Sequence, residues 1–225
     1  MKKYQYVIFD VDGTLLDTAE GVIEAVRKTM KSEGMEVPSE EVLRTFIGPP
    51  IQNSFQKTYH LDGERVQELA VVFRNYYKQD ECLLKASPYD GILKVCQELV
   101  SEGVKIGIAT YKRQDYADKI VCHFGFGDYT DDIYGADNEN RLKKVDIIRL
   151  CLEHMKCENL KTAVMVGDSD NDALGAAEVG IDFIGVTYGF GFKERKDIDQ
   201  YSNVGYAETP LELLDILKED GNKQA

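Results

Sequence analysis

Short apolar runs alternate with helical patterns along most of this 225-residue chain, and that alternation restricts the fold more than any other feature. The runs are residues 6–10, 104–110, 132–135, 163–168 and 181–186, with a weaker one near Val204. Helical periodicity covers residues 91–102, 115–124, 145–155 and 172–179 between them. Strands that alternate with helices are joined by crossovers, and crossovers make a parallel sheet with helices on both faces. The expected class is therefore α/β.

One connection departs from the rhythm. From Asp17 to about Ser87 there is no strand signal, only helical periodicity. Asp17 and Glu20 suggest a capping box, and Val22, Ala25, Val26 and Met30 share one apolar face. Gly34 suits a helix stop, Pro38-Ser39-Glu40 a new start, and Gly48-Pro49-Pro50 a turn before a helix over 51–59. A fourth helix is expected over 64–77, with Val66, Leu69, Ala70 and Phe73 on one side. A crossover of roughly 70 residues is too long for a loop and reads as an inserted all-helical subdomain. The expected division is a core of residues 1–16 and 87–225, and a helical insert of residues 17–86.

The first apolar run carries the strongest chemical signal. Tyr6-Val7-Ile8-Phe9 leads into Asp10-Val11-Asp12-Gly13-Thr14. Two like charges at the end of a buried strand repel each other and lose hydration. A hard cation with oxygen ligands offsets that cost, and one carboxylate beside it can act as nucleophile while the other moves a proton. The alternative is a strand that ends in an exposed turn. A second run, Ile106-Gly107-Ile108-Ala109, ends at Thr110, whose hydroxyl could bond a phosphate oxygen or simply cap a helix. Lys143 and Lys144 open a helix, where a cation opposes the macrodipole. The apolar Ile147 and Ile148 three and four positions on favour Lys144 as a functional cation and leave Lys143 a solvated side chain. In the fourth run, Ala163-Val164-Met165-Val166-Gly167 precedes Asp168-Ser169-Asp170-Asn171-Asp172. Three acids in five residues exceed what a cap needs. Asp168 and Asp172, four apart, are expected on one face of a first helical turn, with Asp170 exposed.

Considered together and in this order, D-V-D-G-T-L-L, the strand-end threonine, the helix-start lysine and G-D-S-D-N-D-A resemble the four motifs of the haloacid dehalogenase superfamily. The resemblance runs from Tyr6 to about Gly189. It includes the glycine-rich turn Gly185 to Gly191, similar to phosphoglycolate-phosphatase-like members with a helical cap. It implies a Rossmann-like core with the cap inserted after the first strand, and a Mg²⁺-dependent phosphatase. By that resemblance Asp10 is the nucleophile that becomes an aspartyl phosphate, and Asp12 is the acid and base. Thr110 and Lys144 hold the phosphoryl oxygens. Mg²⁺ is held by Asp10, Asp12 through its backbone carbonyl, and Asp168, with Asp172 in support. Arg44 and Arg74 in the insert are candidates for a second anionic group of the substrate. Phosphoglycolate, sugar phosphates and nucleoside monophosphates all fit.

Three rivals share parts of this pattern. A dehalogenase needs no acid at Asp12 and no cluster at Asp168 and Asp172. A phosphosugar mutase shares the whole core, but the start of the insert, Thr18 to Ile23, has no histidine of the kind such mutases carry. A non-enzymatic phosphoacceptor domain is short, uncapped and lacks the second acid.

The resemblance implies a small phosphorylated metabolite as partner, and composition bears on the other classes. The net charge is −13, from 40 acidic against 27 basic residues, without a basic block, which disfavours nucleic acid. No apolar stretch is long enough for a membrane span or a signal segment. Cys82, Cys96, Cys122, Cys151 and Cys157 contain no C-x-x-C pair, and His60, His123 and His154 are scattered. Reduced thiols and a cytoplasmic location are expected.

Overall fold

The computed structural model describes residues 4–79, 82–139 and 141–218. The chain divides into two compact units. One holds the residues up to Leu16 and from Pro88 onward, and the other is Asp17–Ser87.

The first unit is built on six parallel strands: β1 (Tyr6–Phe9), β4 (Lys105–Arg113), β5 (Ile133–Ala136), β6 (Ala163–Gly167), β7 (Asp182–Val186) and β8 (Gly205–Ala207). Their order is β5-β4-β1-β6-β7-β8. Two short strands, β2 (Leu16–Asp17) and β3 (Ser87–Pro88), lie where the chain leaves and re-enters this unit. The helices of the unit are α5 (Ile92–Ser101), α6 (Gln114–His123), α7 (Lys144–His154), α8 (Asp170–Val179), α9 (Arg195–Ile198) and α10 (Glu212–Lys218). Both alternating sets of residues on the central strands are buried: Ile8, Ala109 and Met165 in one, Val7, Phe9, Ile108 and Val166 in the other. That is why these strands read as unbroken apolar runs. One core cluster gathers Ile8, Ala109, Met165 and Phe183 of the sheet with Ile147, Ile148, Cys151 and Leu152 of α7 and Ala173 and Ala176 of α8.

The sheet order places β1 between β4 and β6. The chain builds outward on one side to β5, then returns to the other side at β6, so the switch point lies at the carboxyl end of β1. Phe9 is level with Ile108 of β4 and Val166 of β6. Thr110 and Asp168 therefore stand at the same height, one residue beyond the level of Asp10.

The second unit contains α1 (Ala19–Ser32), α2 (Glu40–Arg44), α3 (Ile51–Tyr59), α4 (Gly63–Gln79) and a 3-10 turn, Cys82–Leu84. Val26 and Met30 of α1, Leu43 of α2, Phe55 of α3 and Leu69 and Ala70 of α4 are fully buried. Phe46, Phe55 and Phe73 make successive edge-on ring contacts at 5.3 and 6.4 Å, and Tyr77 stacks on Phe73 at 5.3 Å. Ser39 caps α2 by accepting the Val42 N–H at 3.4 Å.

The start of α1 differs from the expected capping box. The helix begins at Ala19, which puts Glu20 at the second position, one short of the place from which it could reach back. Asp17 Oδ1 accepts the Ala19 N–H at 3.0 Å instead, and the Lys85 carbonyl accepts the Gly21 N–H at 3.2 Å. The backbone of the 3-10 turn comes so close that a Cβ on Gly21 would lie 1.9 Å from the Cys82 oxygen. Alanine favours a helix interior by ~1 kcal/mol over glycine, whereas overpacking costs ~1–3 kcal/mol. Contact with a backbone carbonyl cannot be relieved by a rotamer change, so the steric cost wins. Gly21→Ala is expected to destabilise the protein by ~1–2 kcal/mol in urea titration; a raised midpoint would show that the turn yields.

Candidate active site

Each strand that ends at the switch point delivers a polar side chain. Asp10 follows β1 directly, and Asp12 stands two residues on, in a tight turn. Gly13 takes φ +82°, and a Cβ there would lie 2.0 Å from Asp168 Oδ2. That position needs glycine on both counts, positive φ and close approach. Asp10, Asp12, Thr110, Lys144, Asp168 and Asp172 are all buried, with Lys112 just as enclosed.

Lys144 lies at the centre of the charges. Its Nζ is 2.8 Å from Asp10 Oδ1 and 2.6 Å from Asp172 Oδ1. The second contact is an ion pair without hydrogen-bond alignment, since Asp172 Oδ1 has no hydrogen-bond partner of good geometry. The backbone N–H of Lys144 donates to the Tyr111 hydroxyl at 2.9 Å, which ties the first turn of α7 to β4. Lys143 is exposed, and its N–H donates to Asp146 Oδ2 at 2.9 Å. The lysine at Asp10 is thus Lys144. Its pKa is pulled two ways: burial lowers it, but Asp10 and Asp172 outweigh burial and raise it, so it stays an ammonium.

Asp168 does not lie in the helical turn expected for it. It follows the last residue of β6, Ser169 is the N-cap, and α8 begins at Asp170. The helix starts two residues later than a turn shared by Asp168 and Asp172 would need. Asp168 Oδ2 accepts the N–H groups of Phe190 and Gly191 at 2.6 and 3.0 Å, so the glycine-rich turn after β7 holds this carboxylate. Asp172 does cap α8, with Oδ2 accepting from Ser169 N at 3.1 Å and Ser169 Oγ at 2.7 Å. Its other oxygen faces Lys144, so capping and charge pairing coexist. Asp170 is exposed.

Thr110 is not a helix cap. It lies within β4, its Oγ1 accepting the Lys112 N–H at 3.2 Å. The strand runs on to Arg113, and its register against β5 slips between Ala109 and Arg113. Such a bulge re-aims side chains, and here Lys112 Nζ stands 3.0 Å from Asp12 Oδ1. Sequence reasoning missed Lys112, whose only signal was its place two residues after the strand-end threonine.

In the helical unit, Arg44 lines a groove of about 700 Å³ together with Arg27, Lys85, Glu24 and Glu40. Arg27 pairs with Glu40, and Lys85 pairs with Glu24. Among the described residues Arg44 makes no ion pair. Arg74, half-buried on α4, does not line that groove.

Four buried carboxylates face two ammonium groups, an excess of two negative charges. Single oxygens of Asp10, Asp168 and Asp172 lie within 4.8 Å of one another. An all-oxygen, doubly charged deficit of this kind suits a hard divalent cation. Without one, Asp168 and Asp10 hold protons more tightly than usual. Burial pushes Asp168 up to about 8, with Asp172 and Asp10 adding to it. Burial also raises Asp10, with Asp172 and Asp12 adding and Lys144 opposing.

The chain belongs to the haloacid dehalogenase-like hydrolase family, which matches residues 7–186. It is an enzyme of that family, a hydrolase. It is similar to a 5'-nucleotidase of Pseudomonas aeruginosa, 34% identical over 195 residues, 85% of this chain and 86% of that protein. The tyrosine-protein kinase PtkA of Mycobacterium tuberculosis is 33% identical over 214 residues, 95% of this chain and 72% of its own length. A solved haloacid dehalogenase-like hydrolase from Streptococcus pneumoniae superposes with a TM-score of 0.85 at 30% identity, covering 96% of this chain and 99% of that one.

The raised acids make stability depend on pH with a definite sign. Between the ordinary carboxylate range and pH about 8, the folded protein holds protons that the unfolded chain has released. Raising the pH through that window therefore favours unfolding. A divalent cation held by the ionised form would oppose the loss. The melting temperature in chelator is expected to fall from pH 5 to pH 8, and the rise on adding Mg²⁺ to be larger at pH 8 than at pH 5. Thermal denaturation at both pH values, with and without Mg²⁺, checks this; a Mg²⁺ effect that shrinks as pH rises would contradict it.

Proposed function

We propose that this chain is a Mg²⁺-dependent phosphatase that hydrolyses a small phosphate monoester through an aspartyl phosphate on Asp10. The observation that supports this best is the pairing of Asp10 with Lys144 inside a carboxylate cluster with two charges in excess. Asp10, Asp168 and the backbone carbonyl of Asp12 would hold the cation, with Asp172 supporting the site through Lys144. When bound, Mg²⁺ supplies positive charge that lets an anionic nucleophile approach an anionic phosphoryl group.

The protein's own groups account for the rest. An Asp10 oxygen attacks phosphorus as the ester oxygen leaves, and the leaving oxygen takes its proton from Asp12. Asp12 then takes a proton from water, whose oxygen attacks phosphorus and breaks the bond to Asp10. Lys144 and the Thr110 hydroxyl face the phosphoryl oxygens, where negative charge builds in the transition state. The helical unit acts as the cap that excludes water and reads the leaving group, with Arg44 and Arg74 as candidates for a second anion on the substrate.

Phosphoglycolate, sugar phosphates and nucleoside monophosphates are the substrate classes in view, and the 5'-nucleotidase relative adds weight to the last. The net charge of −13 argues against a nucleic acid polymer. Among the described residues no helix is long and apolar enough to cross a membrane, and the five free thiols suit the cytoplasm. A second reading, transfer to a hydroxyl rather than to water, draws on the similarity to PtkA. It includes a phosphosugar mutase as its metabolite form.

A panel of phosphate monoesters, assayed for phosphate release with Mg²⁺ and with chelator, tests the proposal. Release is expected with Mg²⁺ and is expected to cease on chelation; phosphate that appears only on an acceptor hydroxyl would support the second reading. Asp10→Asn keeps the shape of the side chain but is a very poor nucleophile. It should lose at least ~10³-fold in kcat, equivalent to ~4 kcal/mol, with the fold intact by circular dichroism. Retention of a tenth of the activity, with deamidation excluded by mass spectrometry, would remove Asp10 from the nucleophile's role.

A further inference from the structure

We infer that Lys112 is the positioning residue for Asp12: its ammonium fixes the carboxylate in the orientation from which the leaving oxygen receives its proton. The inference rests on the phosphatase reading above.

The pair is not a surface contact. Both side chains are 6% exposed, and Nζ lies 3.0 Å from Asp12 Oδ1. Exposed ion pairs contribute little, but burying two charges costs several kcal/mol per ion unless the geometry repays it. A buried pair needs a reason, and the surrounding backbone supplies one. Asp12 lies beyond the end of β1, its backbone held by a lone β-bridge to Leu16 and followed by Gly13 with φ +82°. That bridge fixes the backbone and leaves the orientation of the carboxylate to its side-chain contacts. A general acid must stay within about 2.6–3.2 Å of the oxygen it protonates. Something has to select the rotamer.

Lys112 is itself held on three sides. Its N–H donates to Thr110 Oγ1. The bulge in β4 sets the direction of its side chain. Its carbonyl lies against Gly135, where a Cβ would come within 2.5 Å. The two acids of the D-V-D motif thus face different lysines. Asp10 is served by Lys144 and Asp12 by Lys112, so the charge on the nucleophile can be consumed in bond formation without releasing the acid's anchor. With Oδ1 held by Lys112, Oδ2 is the oxygen that carries the proton. In the first half-reaction that proton passes to the ester oxygen as the phosphorus–oxygen bond breaks and the bond to Asp10 forms. In the second, Oδ2 takes a proton from water as the bond to Asp10 breaks. Lys112 neither gains nor loses a proton.

The test uses a leaving group that needs no proton. For wild type, Lys112→Met, Lys112→Arg and Asp12→Asn, kcat/KM is measured on the best alkyl phosphate from the panel and on p-nitrophenyl phosphate. General acid catalysis is worth ~10²–10⁴-fold, so Lys112→Met is expected to lose ~10²-fold on the alkyl ester and less than ~5-fold on the nitrophenyl ester. Lys112→Arg should recover most of the alkyl activity. Adding Lys112→Met to Asp12→Asn should cost the alkyl ester little more, because the group being positioned is already gone. Equal losses on the two esters, or full additivity with Asp12→Asn, would overturn the inference and leave Lys112 a structural residue. A rise in KM on both esters at unchanged kcat would make it a substrate ligand instead, and would overturn it equally. If Lys112→Met does not fold, the arginine variant and its ester ratio decide alone. Wild-type protein that hydrolyses neither ester would mark the failure of the phosphatase reading itself, with which the inference falls.

Discussion

Everything at the switch point depends on one imbalance: more buried negative charge than the protein's own cations neutralise. Among the described residues, the buried Asp10, Asp12, Asp168 and Asp172 are matched by two buried cations, Lys112 and Lys144. Burial of like charges is among the most expensive things a fold can do. Here the cost is met by architecture. Three strand ends converge, backbone N–H groups of Phe190 and Gly191 hold Asp168, and Ser169 holds Asp172. The glycine at position 13 is part of the same account, since any side chain there would occupy the space of the Asp168 carboxylate.

The two lysines solve different problems. Lys144 reaches its place because Tyr111 accepts its backbone N–H and sets the start of α7. It bridges Asp10 and Asp172, so the electrostatics of Asp10 depend on a residue whose other oxygen caps α8. Helix, strand end and charge cluster are mechanically one object. Lys112 arrives by an irregularity in β4 rather than by a regular element. The site is therefore held by backbone features as much as by side-chain identity.

Much of this was legible in the residues. The run Tyr6 to Phe9 followed by two acids shows a buried strand and a charged end at once, because period and charge carry independent information. The four helices of the insert follow from periodicity and from Gly48-Pro49-Pro50. Other features were beyond reach. Lys143 and Lys144 are neighbours at a helix start, and a step of one residue rotates a side chain by about a quarter turn, so spacing could favour one but the tertiary contact decides it. Asp168 and Asp172 look like one helical face, yet α8 starts only at Asp170, so Asp168 stays outside the helix. The cap of α1 failed for a related reason: the helix starts two residues after Asp17, and a carbonyl 64 positions after Gly21 accepts the first-turn N–H expected to go to Asp17. Lys112 was invisible because a bulge leaves no mark in composition.

The register of β1 has a consequence for how the molecule is made. Tyr6 lies level with Lys105 on one side and Ala163 on the other. Strand β1 must therefore wait for residues about 100 and 157 positions later in the chain before both of its edges are covered. Contacts so distant in sequence are slow to form, since loop closure comes before any reward. In the interval the unbroken apolar run Tyr6, Val7, Ile8 and Phe9 has open edges, and the two acids that follow it are a safeguard. Charge beside an apolar strand discourages pairing with another chain. The same two acids that crowd the carboxyl end of β1 in the folded protein would guard that strand before it is paired.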